Sequence, residues 1–423
     1  MKKIFSLTLA LLMTVCMLAG CGRKQTEEKT GRVYYLNFKP EQDAAWQKLA
    51  EEYTSITGVK VDVVTASQGS YEETLTAEID KQNAPTFFQV SGITTLPAWK
   101  DYCLDLSDTD VYKQLTDDEF ALKADGKVYG VAYVYEGFGL IVNKKLLGEA
   151  GYEQSDINDF ASLKRVAEDI HARADKLGFD AFTSNTLDSN SSWRFSGHLA
   201  NIPLFYEFRD DNITTQPAEI KGTYLDNFKA LWDLYTQNST LPPDRITSSV
   251  DAAKEFAAEK AVFYQNGTWA YDDVKSIGDD NLGFMPIYAG VDDRYQGLCC
   301  GTENYWAVNS QAGEADKKAT LDFLKWVTTD ERGLTALADD MGFVAPFKKA
   351  KPVKNTLSNI MAEYIDSGYY NVTWVFNLTP NITPWRNELV SALAAYTTGK
   401  GQWDAVKTAF VDGWKTQYNA AHS

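Results

Sequence analysis

Cysteine and histidine are scarce, five and three in 423 residues. No Cys-x-x-Cys or His-x-x-x-His spacing occurs, which excludes the usual zinc frameworks. Positive charge is also short: 41 Lys and Arg stand against 58 Asp and Glu, a formal charge of −17. That balance excludes the basic patch or stripe that nucleic acids demand. An acidic surface speaks for solubility and little else. There is no repeat of fixed period and no long low-complexity stretch. The Gly-x-Ser-x-Gly, Walker A and His-Glu-x-x-His motifs are missing. Asp188-Ser189-Asn190-Ser191-Ser192 starts like a calcium loop, but Trp193 and Leu199 stand where the sixth and twelfth positions need Gly and Glu. No metal and no cofactor is expected.

What is present is size and aromatic surface. A chain of 423 residues exceeds one ordinary core and predicts two domains. Aromatic residues make up 13%, with 11 Trp and 23 Tyr. Such side chains carry an apolar face and a polar tip, suited both to packing and to stacking on ligands. Lys2 and Lys3 precede an apolar run from Ile4 to Leu18 that is too short for a comfortable membrane span. It ends in Leu18-Ala19-Gly20-Cys21, which resembles the bacterial lipobox. Residues 1–20 are therefore expected to be a signal peptide, with Cys21 diacylated as the first mature residue. Residues 21–31 read as a flexible, lipidated tether. After cleavage, Cys103, Cys299 and Cys300 remain. Either one of the adjacent pair bonds to Cys103, or all three are small buried hydrophobes.

The chain alternates strands and helices. Val33 to Phe38 predicts a strand, Asp43 to Ile56 a helix with Ala45, Leu49, Tyr53 and Ile56 on one face, and Val59 to Val64 a second strand. This is a β-α-β unit, so a parallel pair is expected. A helix over 70–82 and a strand over 85–90 follow. In open α/β sheets ligands gather at the carboxyl ends of the strands. That rule singles out Asn37 and Phe38, Ser70 and Tyr71, and Ser91 and Gly92 as binding residues. Further on, Val262-Phe263-Tyr264-Gln265-Asn266-Gly267-Thr268-Trp269 runs from a strand through turn chemistry straight into an indole. Gly301-Thr302-Glu303-Asn304 is a Gly turn delivering two good hydroxyl partners, which makes Glu303 and Asn304 candidate contacts. Cys103, Trp46 and Trp414 read as core.

Four local patterns carry a resemblance. KVYGVAYVYEGFGLIVNKKLLGEAGY is similar to a "G-x-Y-G-x-P … Y-N-K-x-L-x-x-x-G" segment, with Ala132 in place of Pro. Phe256-Ala257-Ala258-Glu259-Lys260-Ala261-Val262, followed by Asn266-Gly267-Thr268-Trp269, looks like "F-x-x-G-K-A-A-M … G-x-W", with Glu259 in place of Gly. TLDFLKWVTTDE and Gly342-Phe343-Val344-Ala345-Pro346 supply the third and fourth. In this order behind a lipobox they resemble the extracellular solute-binding proteins of bacterial ABC importers, in the family 1, maltodextrin- and oligosaccharide-binding branch.

The resemblance implies an α/β, two-lobed periplasmic-binding-protein-like fold with discontinuous lobes, hinge strands and a central ligand cleft. Lobe 1 would hold residues 32–133 and 302–348, and lobe 2 residues 137–299 and 352–423. It implies a stacking role for Trp269, a cleft carboxylate in Glu136, and cleft aromatics in Trp193 and Trp385, the latter followed by Arg386. The expected partners are a carbohydrate, membrane-embedded permease subunits and the bilayer through acylated Cys21, in a Gram-positive envelope, with the chain itself a monomer. Such a receptor makes and breaks no bond. The rival readings are a secreted glycosidase, which needs two carboxylates at a defined separation that nothing here nominates, a receptor of the same fold for a non-sugar solute, and a surface adhesin.

Overall fold

The computed structural model describes residues 31–67 and 69–423. The signal segment, Cys21 and the tether up to residue 30 lie outside the described residues, as does Gln68. Twelve strands are present among those described: β1 (Val33–Asn37), β2 (Val61–Thr65), β3 (Phe87–Val90), β4 (Ala121–Ala124), β5 (Lys127–Ala132), β6 (Glu136–Asn143), β7 (Asp180–Phe182), β8 (Ala261–Gly267), β9 (Leu282–Met285), β10 (Gln296–Gly301), β11 (Tyr305–Val308) and β12 (Tyr370–Thr373). They form two mixed sheets. The first has the order β2-β1-β3-β11-β5-β4, and the second β12-β10-β6-β8-β7 with β9 also paired to β6.

The first β-α-β unit is parallel as expected, with Val33 beside Val61 and Asn37 beside Thr65. Its helix, Asp43–Thr57, buries Trp46, Leu49, Ala50 and Tyr53 and stops at Gly58, whose φ of 73° is the left-handed conformation that glycine adopts without a Cβ penalty. β11 returns late in the chain to lie antiparallel between β3 and β5. The first sheet is therefore built from both ends of the sequence. One of its faces packs Tyr35, Trp46, Phe87, Trp306 and Phe323, and the other Leu36, Tyr71, Leu75 and Trp99. The second sheet packs Phe138, Phe182, Trp232 and Phe263 on one side and Ile141, Phe256, Phe284 and Leu298 on the other. The chain passes from β5 to β6 over residues 133–135 and from β10 to β11 over residues 302–304. Near the first crossing, the Tyr135 amide donates to the Val344 carbonyl at 2.8 Å.

The C-terminal segment is mostly helical, with one strand inserted. Helix Thr356–Asp366 is followed by strand β12, which extends the second sheet parallel to β10. Helices Ile382–Thr397 and Trp403–Ala421 then pack together. Cys103, Cys299 and Cys300 are all free and buried, so the small-hydrophobe alternative describes them. Among the described residues no helix is long and apolar enough to cross a membrane.

Candidate functional site

The carboxyl ends of β1 and β3, the crossings, and one end of the second sheet converge. The turn after β1 is organised by Asn37. Its side-chain amide donates to the Lys39 carbonyl at 2.8 Å and to Thr65 Oγ1 at 3.1 Å, and its oxygen accepts the Lys39 amide at 3.1 Å. This loop points the Lys39 ammonium inward. Lys39 Nζ lies 3.0 and 2.9 Å from the two oxygens of Glu136, and 3.6 Å from Glu41. The side chains of Lys39 and Glu136 are only 8% and 7% exposed. The same ammonium sits 5.9 Å from the centroids of both Trp269 and Phe343, within cation–π range.

The directions of ionisation at this pair pull differently. Burial pushes the Glu136 carboxyl up, and the neighbouring Lys39 offsets this only in part. Burial alone would lower Lys39, but Glu136 and Glu41 outweigh it and hold the ammonium above its ordinary value. Glu41 supports the charge on Lys39 but opposes that on Glu136, so the direct contact with Lys39 is what favours the Glu136 carboxylate.

Opposite Lys39 stands an aromatic wall. β8 ends at Gly267, and a short 3-10 turn, Thr268–Ala270, presents Trp269 half-buried. The indole lies back over Gly267: a Cβ there would come within 2.3 Å of two ring carbons, so only glycine admits this arrangement. Trp193 stands 6.1 Å from Trp269 between ring centroids, and its Nε1 donates to the Asn190 carbonyl at 2.7 Å. Trp374 closes the wall 6.4 Å from Trp269, anchored by Nε1 on the Cys299 carbonyl at 3.0 Å. Nearby, Glu303 and Arg386 form no ion pair with any described residue. Arg386 spends only Nε, which donates to Ser196 Oγ at 3.2 Å. Both side chains keep some solvent contact, yet enough protein surrounds them to move their ionisation. Burial raises Glu303 against the pull of Lys39 and Arg386. Burial lowers Arg386 against the pull of Glu303. Two opposite charges with spare hydrogen-bonding capacity thus act on each other, and Glu303 also on Lys39.

The remaining expected contacts divide. Ser91 and Asn304 meet each other, Oγ to Oδ1 at 3.3 Å, and Gly92 has a φ of 146° in the loop beside them. Phe38 is half-buried with its ring edge-on to Tyr71 at 5.5 Å. Ser70 turns its hydroxyl to the Ser67 carbonyl at 2.8 Å.

Three expectations need correction. Tyr71 is 4% exposed, accepting the Gln89 amide at 2.6 Å and donating to the Leu36 carbonyl, so it serves the core. Asn37 is fully buried and its amide is consumed by the Lys39 loop. Trp385 is 1% exposed, with Nε1 on the Phe410 carbonyl at 2.9 Å, and locks helix Ile382–Thr397 onto helix Trp403–Ala421. Successive residues on a helix are about 100° apart, so Trp385 and Arg386 cannot both face the cleft. Trp385 shares the buried face with Leu389 and Leu393.

Lys39 and His198 have no binding signal in the sequence, and Trp374 is a weaker candidate there, equally readable as core. Trp374 carried only the weak signal of a lone indole. Lys39 lies two residues past the end of β1, and His198 has no local signature at all.

Beside the wall, a cavity of about 260 Å³ is lined by Glu136, Thr268, Trp269, Gly342, Phe343 and Asn355 among others. Trp193, Trp374, Glu303 and Arg386 are not part of its lining, so the cavity meets the aromatic wall only at Trp269. Thr94 Oγ1, in the loop after β3, donates to the Asn377 carbonyl at 2.8 Å, and Asn377 Nδ2 donates to the Thr302 carbonyl at 3.1 Å. Among the described residues, no group of three or more His, Cys, Asp or Glu is placed to hold a metal.

Comparison with known proteins fits this layout. Residues 48–363 match the bacterial extracellular solute-binding protein family. The chain belongs to that family. It has solved structural neighbours over almost its whole length. The GacH receptor of Streptomyces glaucescens, solved unliganded and with acarbose, superposes with a TM-score of 0.69 at 20% identity, covering 93% of this chain and 99% of that one. RafE in complex with raffinose gives 0.70 at 16% identity, covering 93% and 100%. A sugar transporter from Bacillus licheniformis in complex with stachyose gives 0.68 at 16%, covering 91% and 100%. In sequence, the chain is 24% identical over 332 residues to a maltotriose-binding protein of Pyrococcus abyssi. That match takes in 74% of this chain and 65% of the relative's length.

Proposed function

We propose that the chain is a receptor that captures a carbohydrate, an oligosaccharide by preference, and presents it to the permease of an ABC importer. The observation that carries this reading is the aromatic wall of Trp193, Trp269 and Trp374 facing Lys39, Glu136, Glu303 and Arg386. A sugar offers a face of C–H bonds and a rim of hydroxyls. Indole planes meet the first, and carboxylates and a guanidinium with free hydrogen-bonding capacity meet the second. Several aromatic surfaces in a row, and the neighbouring cavity beyond Trp269, favour more than one sugar ring. The sugars named for the relatives support the same class.

The lobes are residues 32–133 with 302–348, and residues 137–299 with 352–423. This division is supported by the membership of β11 in the first sheet and β12 in the second. Cys21 is acylated and holds a monomer on the extracytoplasmic face of the membrane. Ligand draws the lobes together by hinge motion at the crossings.

Thermal unfolding of residues 22–423 against a panel of mono- and oligosaccharides tests the reading. A ligand that binds only the folded form raises the midpoint. A rise with one family of sugars, lost in Trp269→Ala, is the expected result. A rise only with an amino acid, peptide or polyamine would retain the receptor and remove the sugar.

A further inference from the structure

Residues Arg194–Leu199 form a π-helical turn. Such turns are rare and concentrate at functional sites. This one delivers Ser196 to Arg386, and it delivers His198 to the aromatic wall. The His198 ring stacks on Phe138 at 4.2 Å with the planes 5° apart. It meets Trp193 edge-on at 5.0 Å and Trp269 at 5.3 Å. It is 6% exposed, and its Nδ1 is buried with no hydrogen-bond partner among the described residues.

Packing alone does not account for an imidazole here. The slot is bounded by Phe138, Trp193, Trp269, Trp374 and Phe376, and a phenyl ring would fill it without leaving a buried nitrogen unpaired. Three cations face the ring: Arg194 from its own turn, Arg386 from helix Ile382–Thr397, and Lys39 from the loop after β1. Burial first, and these cations second, hold His198 well below the ordinary histidine range, so the ring is neutral. A neutral imidazole offers one donor and one acceptor.

We propose that His198 is a ligand contact, its imidazole hydrogen-bonding a hydroxyl of a sugar ring that lies against Trp193 and Trp269, and that this bond selects for sugars carrying that hydroxyl. The inference rests on the carbohydrate reading of the cleft. It adds a polar selector to an otherwise sequence-tolerant stacking surface, and a site built to bond a hydroxyl rejects analogues lacking it far better than an apolar one does.

Raffinose, stachyose and maltotriose are titrated calorimetrically into the wild type, and the tightest binder is carried forward. His198→Phe keeps the stack and removes the nitrogens. We expect its Kd to rise at least tenfold with little change in Tm, and His198→Gln to recover part of the loss. The second readout is ¹⁵N-histidine NMR of the wild type. With three histidines in the chain, the signal absent from His198→Phe identifies itself. Sugar should shift that signal and leave those of His171 and His422 in place.

An unchanged Kd in His198→Phe overturns the inference and leaves the carbohydrate reading intact. A raised Kd with an unmoved His198 signal also overturns it, reducing the ring to packing. No binding of any sugar by the wild type removes the carbohydrate reading and this inference together. If His198→Phe does not fold, the wild-type signal, assigned with His171→Gln and His422→Gln, decides alone.

Discussion

Lys39→Met removes one half of a buried ion pair and leaves Glu136 with a carboxylate that is 7% exposed. An unpaired buried charge is costly: breaking such a pair destabilises by about 3–5 kcal/mol. At about 2–4 °C per kcal/mol, the midpoint should fall by about 10 °C near pH 8. The pH dependence has a definite sign. Burial already pushes Glu136 up, and Lys39 opposes it. Without the ammonium the carboxyl moves further up. A group raised in the folded state favours folding below its unfolded range, and that advantage is lost as pH rises through its folded value. The variant should therefore lose least at pH 5, where Glu136 takes up a proton, and most at pH 8. In the wild type Lys39 is itself raised, so its contribution persists throughout this window. Lys39→Met combined with Glu136→Gln removes both charges and should recover most of the loss, since a neutral pair of similar volume carries no stranded charge. Differential scanning calorimetry at both pH values measures all three variants. Equal destabilisation by Lys39→Met at pH 5 and pH 8, or no recovery in the double variant, would refute the reasoning.

Other sites give separate tests. Gly267→Ala places a methyl carbon where the Trp269 ring lies, so it should cost about 1–3 kcal/mol, shift the tryptophan emission and weaken sugar binding. Trp385→Ala opens a cavity between two packed helices and should cost about 3–5 kcal/mol while leaving the Kd of the folded fraction unchanged, as expected of a core residue. In a form spanning residues 22–423, Cys103, Cys299 and Cys300 should resist a thiol reagent until denaturant is added, because burial pushes Cys103 and Cys300 up to about 12 and leaves little thiolate. Three thiols should then react, whereas a disulfide would release only one.

Periodicity made the scaffold legible. Helix Asp43–Thr57 announces itself by Leu49 and Tyr53 on one face and Gly58 past its end, and the parallel pairing of β1 and β2 follows from the helix between them. Local spacing carries that kind of information. It does not carry which strand returns: β11 joins the first sheet from over 170 residues away from β5, a choice made by tertiary packing. Nor does it show which side chain faces a cleft. Trp269 was legible because a turn and a glycine sit beside it. Trp385 was not, because an indole before an arginine reads alike whether the helix turns it inward or outward. Lys39 was missed by one residue. Asn37 ends the strand and looks like the contact, yet its amide is spent building the loop that aims Lys39. His198 depends on a π-turn that adds one residue to a helical circuit, and no spacing rule anticipates it.

Carbohydrate binding against Trp269 is the property on which the proposed function turns. Isothermal titration of stachyose and raffinose into residues 22–423, with Trp269→Ala alongside, tests it most directly. The account predicts saturable binding of one stoichiometric sugar by the wild type and at least a tenfold weaker Kd in the variant. Binding of equal strength in both proteins, or no heat with either sugar or with maltotriose, would contradict it.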